Sequence, residues 1–377
     1  MLTHCIEDRE KNPVICIKIH IIKFNFLIDK IGIVFFRCYY EMKYIGGCDM
    51  RAVQIDKYGG PEVLKVKNRE EPSPNRNEVK IKMYAIGLNP SESYTITGNY
   101  AYNVPDLPYT PGYDGSGVVE EIGENVTDLK IGDRVFVSAF DAKRNTGTYA
   151  EKLVVDAKNV YPLPHNVSLN EGAALGIPAF TAYRALIQKA HIKAGETVLI
   201  HGASGAVGSI AVQIAKSVGA VVIGTSSTEK GRATILELGA DYAIPHVTPD
   251  NMDEIKTLTN EKGPDVIIEF LADVNLETDS LIIADYGRIV IVGSRGTIEF
   301  SPRNLMTNDA TITGMAFIYP EPEDMKEMYH GVTALIRSGS LKPLIGKKFA
   351  LEDIQEAHKH LMESSGDGRT LIELITE

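Results

Sequence analysis

Residues 198–211 read Val198-Leu199-Ile200-His201-Gly202-Ala203-Ser204-Gly205-Ala206-Val207-Gly208-Ser209-Ile210-Ala211. A β-branched run stops, glycines follow at every third position, and an amphipathic helical pattern begins. Glycines let a backbone approach a pyrophosphate closely, and a helix N-terminus offers free N–H groups and the positive end of its dipole. The spacing is G-x-x-G-x-x-G rather than the standard G-x-G-x-x-G, and a purely structural tight turn is the competing reading. Context favours the cofactor reading. From Glu196 short apolar runs recur at Thr197–Ile200, Val221–Gly224, Tyr242–Ile244, Val266–Phe270, Ile289–Val292 and about Ile312–Phe317, with helical patterns between most of them. Nearly continuous β-branched runs are what strands buried on both faces of a parallel sheet require. Six of them joined by crossovers predict a doubly wound dinucleotide fold.

The end of the second run reports on the cofactor. Enzymes that use NAD usually carry Asp or Glu there, about 20 residues after the glycines, to grip the ribose 2′-hydroxyl. Here the run ends Ile223-Gly224-Thr225-Ser226-Ser227-Thr228, and the first acid, Glu229, is flanked by Lys230 and Arg232. Small hydroxyls and nearby cations suit a 2′-phosphate, so NADPH is expected. The alternative is that Lys230 and Arg232 are only the solvated first turn of a helix.

The remainder reads differently. Residues 51–174 show short alternating runs, such as Val79–Met83 and Arg134–Val137, separated by Gly, Pro and Asn. They predict an all-β domain. A helix is expected from Leu169 to about Lys189, with further helices near Glu323–Arg337 and Leu351–Ser364. His358 and His360 are two apart on the last of these, point in different directions and are read as surface residues.

All four cysteines (Cys5, Cys16, Cys38, Cys48) precede residue 49. The rest can hold neither a disulfide nor a thiolate zinc site, and a reduced, cytoplasmic enzyme is expected. The net charge of −11 gives no electrostatic reason to bind nucleic acid or an anionic membrane, although a local basic groove would escape this argument. Residues 1–49 are rich in Ile, Val and Phe but broken by charges. They hold no apolar stretch of about 18 residues that would span a bilayer. Nor do they pattern as a signal or transit peptide. Met50 is the expected start of the enzyme proper, with a novel anchor or targeting arm as the alternative.

Several motifs resemble one family. Asn89-Pro90-Ser91-Glu92-Ser93-Tyr94, Pro108-Tyr109-Thr110-Pro111-Gly112, Gly176–Leu186 and Val292–Glu299 resemble the zeta-crystallin type of quinone reductase, a zinc-free branch of the medium-chain dehydrogenase/reductase superfamily. The resemblance covers residues 50–377. It implies an α/β-plus-β architecture: a GroES-like catalytic domain (50–174, completed by 314–377) interrupted by a Rossmann NADPH-binding domain (175–313), with the active site in the cleft.

The resemblance also implies residue roles. Asn89 and Tyr94 would face nicotinamide and substrate. Ser204, Gly205, Ala206 and Val207 would cradle the pyrophosphate. Gly224, Thr225, Ser226, Ser227 and Lys230 would surround the adenine-ribose phosphate, with His246 touching the same group. Leu271 and Asn275 would lie beside the crevice, Val292, Gly293, Ser294 and Arg295 would meet the nicotinamide half, and Phe317 would follow the sixth strand there. Two positions depart from the family pattern. Ile96 stands where Arg is usual, and Gly366-Asp367-Gly368-Arg369 replaces a motif that often brings Arg or Lys near the cofactor.

No metal is expected. Zinc relatives carry a Gly-His-Glu motif and cysteine ligands, whereas this chain has Gly112-Tyr113-Asp114 and no cysteine to match. Without a Lewis acid, easily reduced acceptors are favoured over simple alcohols. The expected function is NADPH-dependent quinone reduction, which in this family can proceed in single-electron steps. Alkenal or enone double-bond reduction is the alternative enzyme reading. A structural crystallin role, or binding of AU-rich RNA, is the reading of another class. A homo-oligomer, dimer or tetramer, is also expected.

Overall fold

A computed structural model describes residues 2–6, 15–28, 34–44, 49–100, 104–139, 146–248, 252–317, 320–363 and 366–376. The chain divides into two units, residues 1–51 with 68–71, and residues 52–67 with 72–377. In the first, β1 (Leu2–Ile6), β2 (Ile15–Ile28) and β3 (Val34–Tyr44) form an antiparallel sheet in that order. Strand β4 (Asp49–Gln54) pairs with β5 (Lys65–Glu70).

The second unit holds two larger sheets. One is built from β6 (Glu78–Gly87), β7 (Asp114–Ile122), β8 (Arg134–Ser138), β9 (Lys152–Asp156) and β10 (Val160–Pro162), and the C-terminal strands described below join it. Its inner face packs Val79, Ile81, Met83, Val135 and Leu153 into one cluster. Helix α1 (Pro90–Ile96) leaves β6 at Asn89, whose N–H is bonded by the Glu92 carboxylate at 2.7 Å, half of a capping box.

The single helix expected over 169–189 is instead three pieces. Helix α2 (Leu169–Ala173) starts at a Ser168–Glu171 capping box, α3 (Gly176–Tyr183) follows, and a wide π turn spans Arg184–Lys189. Gly176 makes the break, at φ +47. A Cβ there would lie 2.2 Å from Asp114 Oδ1, so only glycine fits this left-handed position.

Strands β11 (Thr197–Ile200), β12 (Val221–Thr225), β13 (Tyr242–Ile244), β14 (Val266–Glu269), β15 (Arg288–Ile291) and β16 (Thr311–Gly314) form the second sheet. Every pairing is parallel and the order is β13-β12-β11-β14-β15-β16. This is the doubly wound dinucleotide order. Both faces are covered. Val198, Ile200, Val222, Val266, Ile268 and Val290 enter one core, and Leu199, Ile223, Ile267 and Ile289 enter another. Helices α4 (Ala206–Val218), α5 (Glu229–Glu237), α6 (Met252–Leu258), α7 (Ala272–Ile282) and α8 (Pro302–Asn308) cross over between strands.

After β16 the chain rejoins the first of these sheets. Helix α9 (Pro322–Ser338) places Met328, Val332 and Ile336 in the core shared with Phe136 and Phe180. Strand β17 (Ile345–Phe349), α10 (Ile354–Glu363) and β18 (Arg369–Glu373) follow, and β18 pairs with β6.

Candidate functional site

The glycine loop closes the C-terminal end of β11. Gly202 turns at φ +53 and donates its N–H to Thr225 Oγ1 at 3.1 Å, while Ala203 N–H reaches the Thr225 carbonyl at 2.8 Å. These bonds tie the loop to the end of β12. Gly208 lets α4 start this close, because a Cβ there would stand 2.4 Å from the Gly202 carbonyl oxygen. A Cβ on Gly202 would meet nothing within 4 Å, so room is left over the turn. No side chain caps the N-terminus of α4. The loop that should hold Ser204, Gly205, Ala206 and Val207 against a diphosphate is therefore a turn whose helix N–H groups no side chain caps, bridged at Gly205 to the backbone of Gly368, and it fits that group.

Around the end of β12 three hydroxyls converge on Gly231. A Cβ there would come within 2.1 Å of Ser226 Oγ, 2.9 Å of Thr228 Oγ1 and 3.0 Å of Ser204 Oγ. Gly224 lets α5 approach, since its Cβ would lie 2.6 Å from Ile235 Cγ2. Thr225 Oγ1 also shares a hydrogen bond with His246 Nδ1 at 2.9 Å. Burial, helped by the charge of His201, lowers the His246 imidazole, so it is neutral at physiological pH. Ser227 and Lys230 are exposed. Lys230 Nζ pairs with Asp367 Oδ2 at 3.1 Å, an acid 137 residues away in the segment whose motif departs from the family pattern. Beside it Gly368 N–H donates to the Ser204 carbonyl at 2.9 Å, so the Gly366–Arg369 segment lies on the phosphate loop.

The turns after β14 and β15 are bound to each other. Ala272 N–H donates to the Gly293 carbonyl at 3.0 Å, and Asp273 Oδ1 accepts from Arg295 N–H at 2.7 Å and Ser294 Oγ at 3.2 Å. The Arg295 N–H bond is the main reason the Asp273 carboxyl is held below its ordinary range. Leu271, Asn275, Val292 and Gly293 are half-buried along this edge, and the Arg295 side chain is exposed. Phe317 stacks on Phe180 with centroids 6.0 Å apart, and half-buried Tyr94 faces Tyr100 at 6.2 Å.

Three side chains read otherwise from sequence lie in one buried network. Asn89 is 3% exposed and its amide is spent internally. Nδ2 donates to Glu92 Oε1 at 3.1 Å and Asp114 Oδ2 at 3.0 Å, and Oδ1 accepts from Arg369 NH1 at 2.8 Å. It fixes the start of α1 rather than turning its amide to a ligand. Arg369 also reaches Asp114 Oδ2 at 2.7 Å, so its charge is used against Asp114, away from any cofactor phosphate. His358 is a correction outright. It is 1% exposed, between Tyr149 Oη at 3.0 Å and Ser93 Oγ at 2.9 Å. Burial lowers its imidazole to about 4, so it is neutral. Tyr149 in turn donates to Glu92 Oε2 at 2.5 Å. Burial lifts the Glu92 carboxyl to about 7 against these bonds.

The position of a catalytic zinc does not fit one. Asp114 accepts from Arg369, Asn89 and the N–H of Ile177, and the Tyr113 hydroxyl is bonded to Thr95. A guanidinium occupies the electrostatic place a cation would need. Elsewhere among the described residues, His201, Glu269 and Asp279 approach within 4.8 Å. Burial alone would lower the His201 imidazole, but the Asp279 and Glu269 carboxylates outweigh it and hold it up to about 9. An imidazolium has no lone pair to offer a metal.

Comparison with known proteins agrees with this geometry. The Alcohol dehydrogenase GroES-like domain model matches residues 75–165, and the Zinc-binding dehydrogenase model matches 206–334. Human quinone oxidoreductase is 43% identical over 327 residues, covering 86% of this chain and 98% of that protein. The chain belongs to the quinone oxidoreductase family. Quinone oxidoreductase structures share its fold. That of Pseudomonas syringae pv. tomato superposes with a TM-score of 0.77 at 31% identity, covering 86% of this chain and 99% of its own. A mycobacterial protein solved in complex with NADPH superposes with a TM-score of 0.77 at 25% identity, covering 86% and 99%. The Zinc-binding dehydrogenase match lies at 206–334, outside the Gly112-Tyr113-Asp114 stretch whose side chains are bonded as described above.

Proposed function

We propose that this chain is an NADPH-dependent reductase of quinones that works without a metal. The observation that carries the reading is the pair of neighbouring strand ends. The glycine cradle after β11 meets a helix N-terminus that no side chain caps, and the end of β12 carries Thr225, Ser226, Ser227 and Thr228, the first two buried, with no carboxylate among them. Bound NADPH supplies a hydride equivalent which, with one proton, takes a quinone to its hydroquinone.

The chain's own residues hold and orient. Ser204–Val207 bind the pyrophosphate, Gly224–Ser227, Lys230 and His246 the adenine-ribose phosphate, and Leu271, Asn275, Val292–Arg295 and Phe317 the nicotinamide half. Tyr94 meets nicotinamide and substrate. Asn89, clamped by Glu92, Asp114 and Arg369, fixes α1 and so the place of Tyr94. Orientation of two bound reactants supplies the catalysis. Residues 50–174 with 314–377 form the catalytic domain and 175–313 the cofactor domain.

Among the described residues no helix is long and apolar enough to cross a membrane. Two features suit a homo-oligomer: β16 ends the sheet, and Met306 (78% exposed) and Tyr286 (72%) lie close to it. The absence of cysteine after Cys48 suits a cytoplasmic enzyme.

Cofactor titration of the purified chain tests the reading. NADPH should bind far more tightly than NADH. Equal affinities would place the 2′-phosphate pocket elsewhere. Turnover of enones but not quinones would move the substrate class to double-bond reduction.

A further inference from the structure

The crevice reading leaves one set of buried charges without a task. His201 follows β11, Glu269 ends the neighbouring strand β14, and Asp279 lies on α7. Their side chains are 4%, 0% and 0% exposed. His201 Nε2 donates to Asp279 Oδ1 at 2.8 Å and lies 3.5 Å from Glu269 Oε2. Taking three ionisable groups out of water costs several kcal/mol per charge before their attraction repays it. A strand end could be filled with apolar residues at no such cost.

Glu269 has a second set of partners. Its other oxygen, Oε1, accepts the N–H of Leu271 and, at 3.3 Å, the Nδ2 of Asn275. One carboxylate thus touches the root of the phosphate loop, since His201 immediately precedes Gly202, and also the turn that opens α7. These two turns flank the crevice from neighbouring strands, which are also joined by their backbone ladder and, at the opposite end, by the bond from Thr197 N–H to Asp265 Oδ2 at 2.7 Å.

We infer that Glu269 is a positioning residue that sets the spacing between the turn receiving the cofactor's pyrophosphate and the turn receiving its nicotinamide half. The His201 imidazole, bonded to Asp279, lies beside Glu269 Oε2 on one side, while Oε1 carries Leu271 and Asn275 on the other. The inference rests on NADPH occupying this crevice. Its consequence is selective: loss of Glu269 releases the Leu271–Asn275 turn, so it weakens contacts to the nicotinamide half while the adenine half keeps its own loop.

The test compares two ligands on the full chain. One is NADPH. The other is adenosine 2′,5′-bisphosphate, which has the adenine half and no nicotinamide. Glu269→Ala should raise the NADPH dissociation constant about tenfold or more, as expected for losing buried hydrogen bonds to a charged group, and the bisphosphate constant less than about twofold. Glu269→Gln keeps an acceptor for the turn and should stay within about threefold of wild type for NADPH. Asn275→Ala should weaken NADPH alone, with no further loss when combined with Glu269→Ala. It also carries the test should Glu269→Ala fail to fold. Equal weakening of both ligands in Glu269→Ala and Asn275→Ala, or of neither, overturns the inference. Failure of the wild-type chain to bind either ligand would instead overturn the NADPH reading itself.

Discussion

Replacing Glu92 by glutamine sets complete burial against hydrogen bonding at one carboxyl. Four donors point at Glu92: the N–H groups of Asn89 and Tyr113, Asn89 Nδ2 and the Tyr149 hydroxyl. They favour the charged form, and burial favours the neutral one. In our account burial prevails and lifts the carboxyl from 4.5 to about 7. The folded protein then keeps a proton that the unfolded chain has already released. The stability this contributes is full below about pH 4.5 and is lost as pH rises through about 7. At about 1.4 kcal/mol per pH unit the interval is worth about 3 kcal/mol, most of which falls between about pH 5 and about pH 8. Glu92→Gln removes this titration. It also imposes a constant loss of about 1–3 kcal/mol, because the amide nitrogen cannot accept from the donors that faced the oxygen it replaces. Urea denaturation should find the wild type more stable near pH 5 and the gap narrower by about 2–3 kcal/mol near pH 8. Other titrating groups, such as His201, are present in both proteins and cancel in the difference. A gap that stays constant or widens with pH would refute the reasoning and show that the four donors hold the carboxylate ionised.

Gly208→Ala should lower the melting temperature and raise the KM for NADPH at least about tenfold. Alanine usually stabilises a helix by about 1 kcal/mol over glycine, but this Cβ would press on the Gly202 carbonyl from 2.4 Å. An unchanged KM would remove the glycine loop from the cofactor site. Lys230→Ala should raise the KM for NADPH roughly threefold and leave NADH unaffected, a modest effect because the side chain is 78% exposed and already paired with Asp367. Asp367→Asn should act in the opposite direction by freeing that ammonium for the phosphate. Equal responses of both cofactors to either substitution would show that the pair does not meet the 2′-phosphate. His358→Gln should lessen the wild type's loss of stability on acidification between about pH 6.5 and about pH 4, because the buried neutral imidazole resists a proton that the unfolded chain accepts. Parallel pH profiles of the two proteins would place that proton elsewhere.

What could be read in the sequence is what depends on neighbours along the chain. The apolar runs marked all six strands of the parallel sheet to within a few residues, and for the four central ones burial on both faces leaves that local signature. The glycine loop was legible for the same reason. The contacts that escaped join distant segments. Arg369 meets Asp114 across 255 residues, and His358 meets Tyr149 across 209. The burial of His358 did leave a signal. Leu351, Ile354, His358 and Leu361 follow at helical spacing, so the histidine lay on the apolar stripe of α10. Judging it only against His360 missed this. Gly176 and Pro178 were a local signal of the break that the single-helix reading passed over, whereas the carboxylate of Asp114 that makes glycine necessary there comes from a distant strand. The triad of His201, Glu269 and Asp279 was missed for a related reason: His201 follows β11, Glu269 ends β14 and Asp279 lies within α7, and the pairing of the two strands with the packing of that helix brings them together.

The central claim is that this chain passes reducing equivalents from NADPH to quinones with no metal. It is tested most directly by following NADPH absorbance with the purified protein, a panel of quinones and enones, and EDTA present throughout. The account predicts quinone-dependent NADPH oxidation that EDTA leaves intact and that NADH supports only weakly. Absence of quinone turnover, or turnover that disappears with EDTA and returns with zinc, would contradict it.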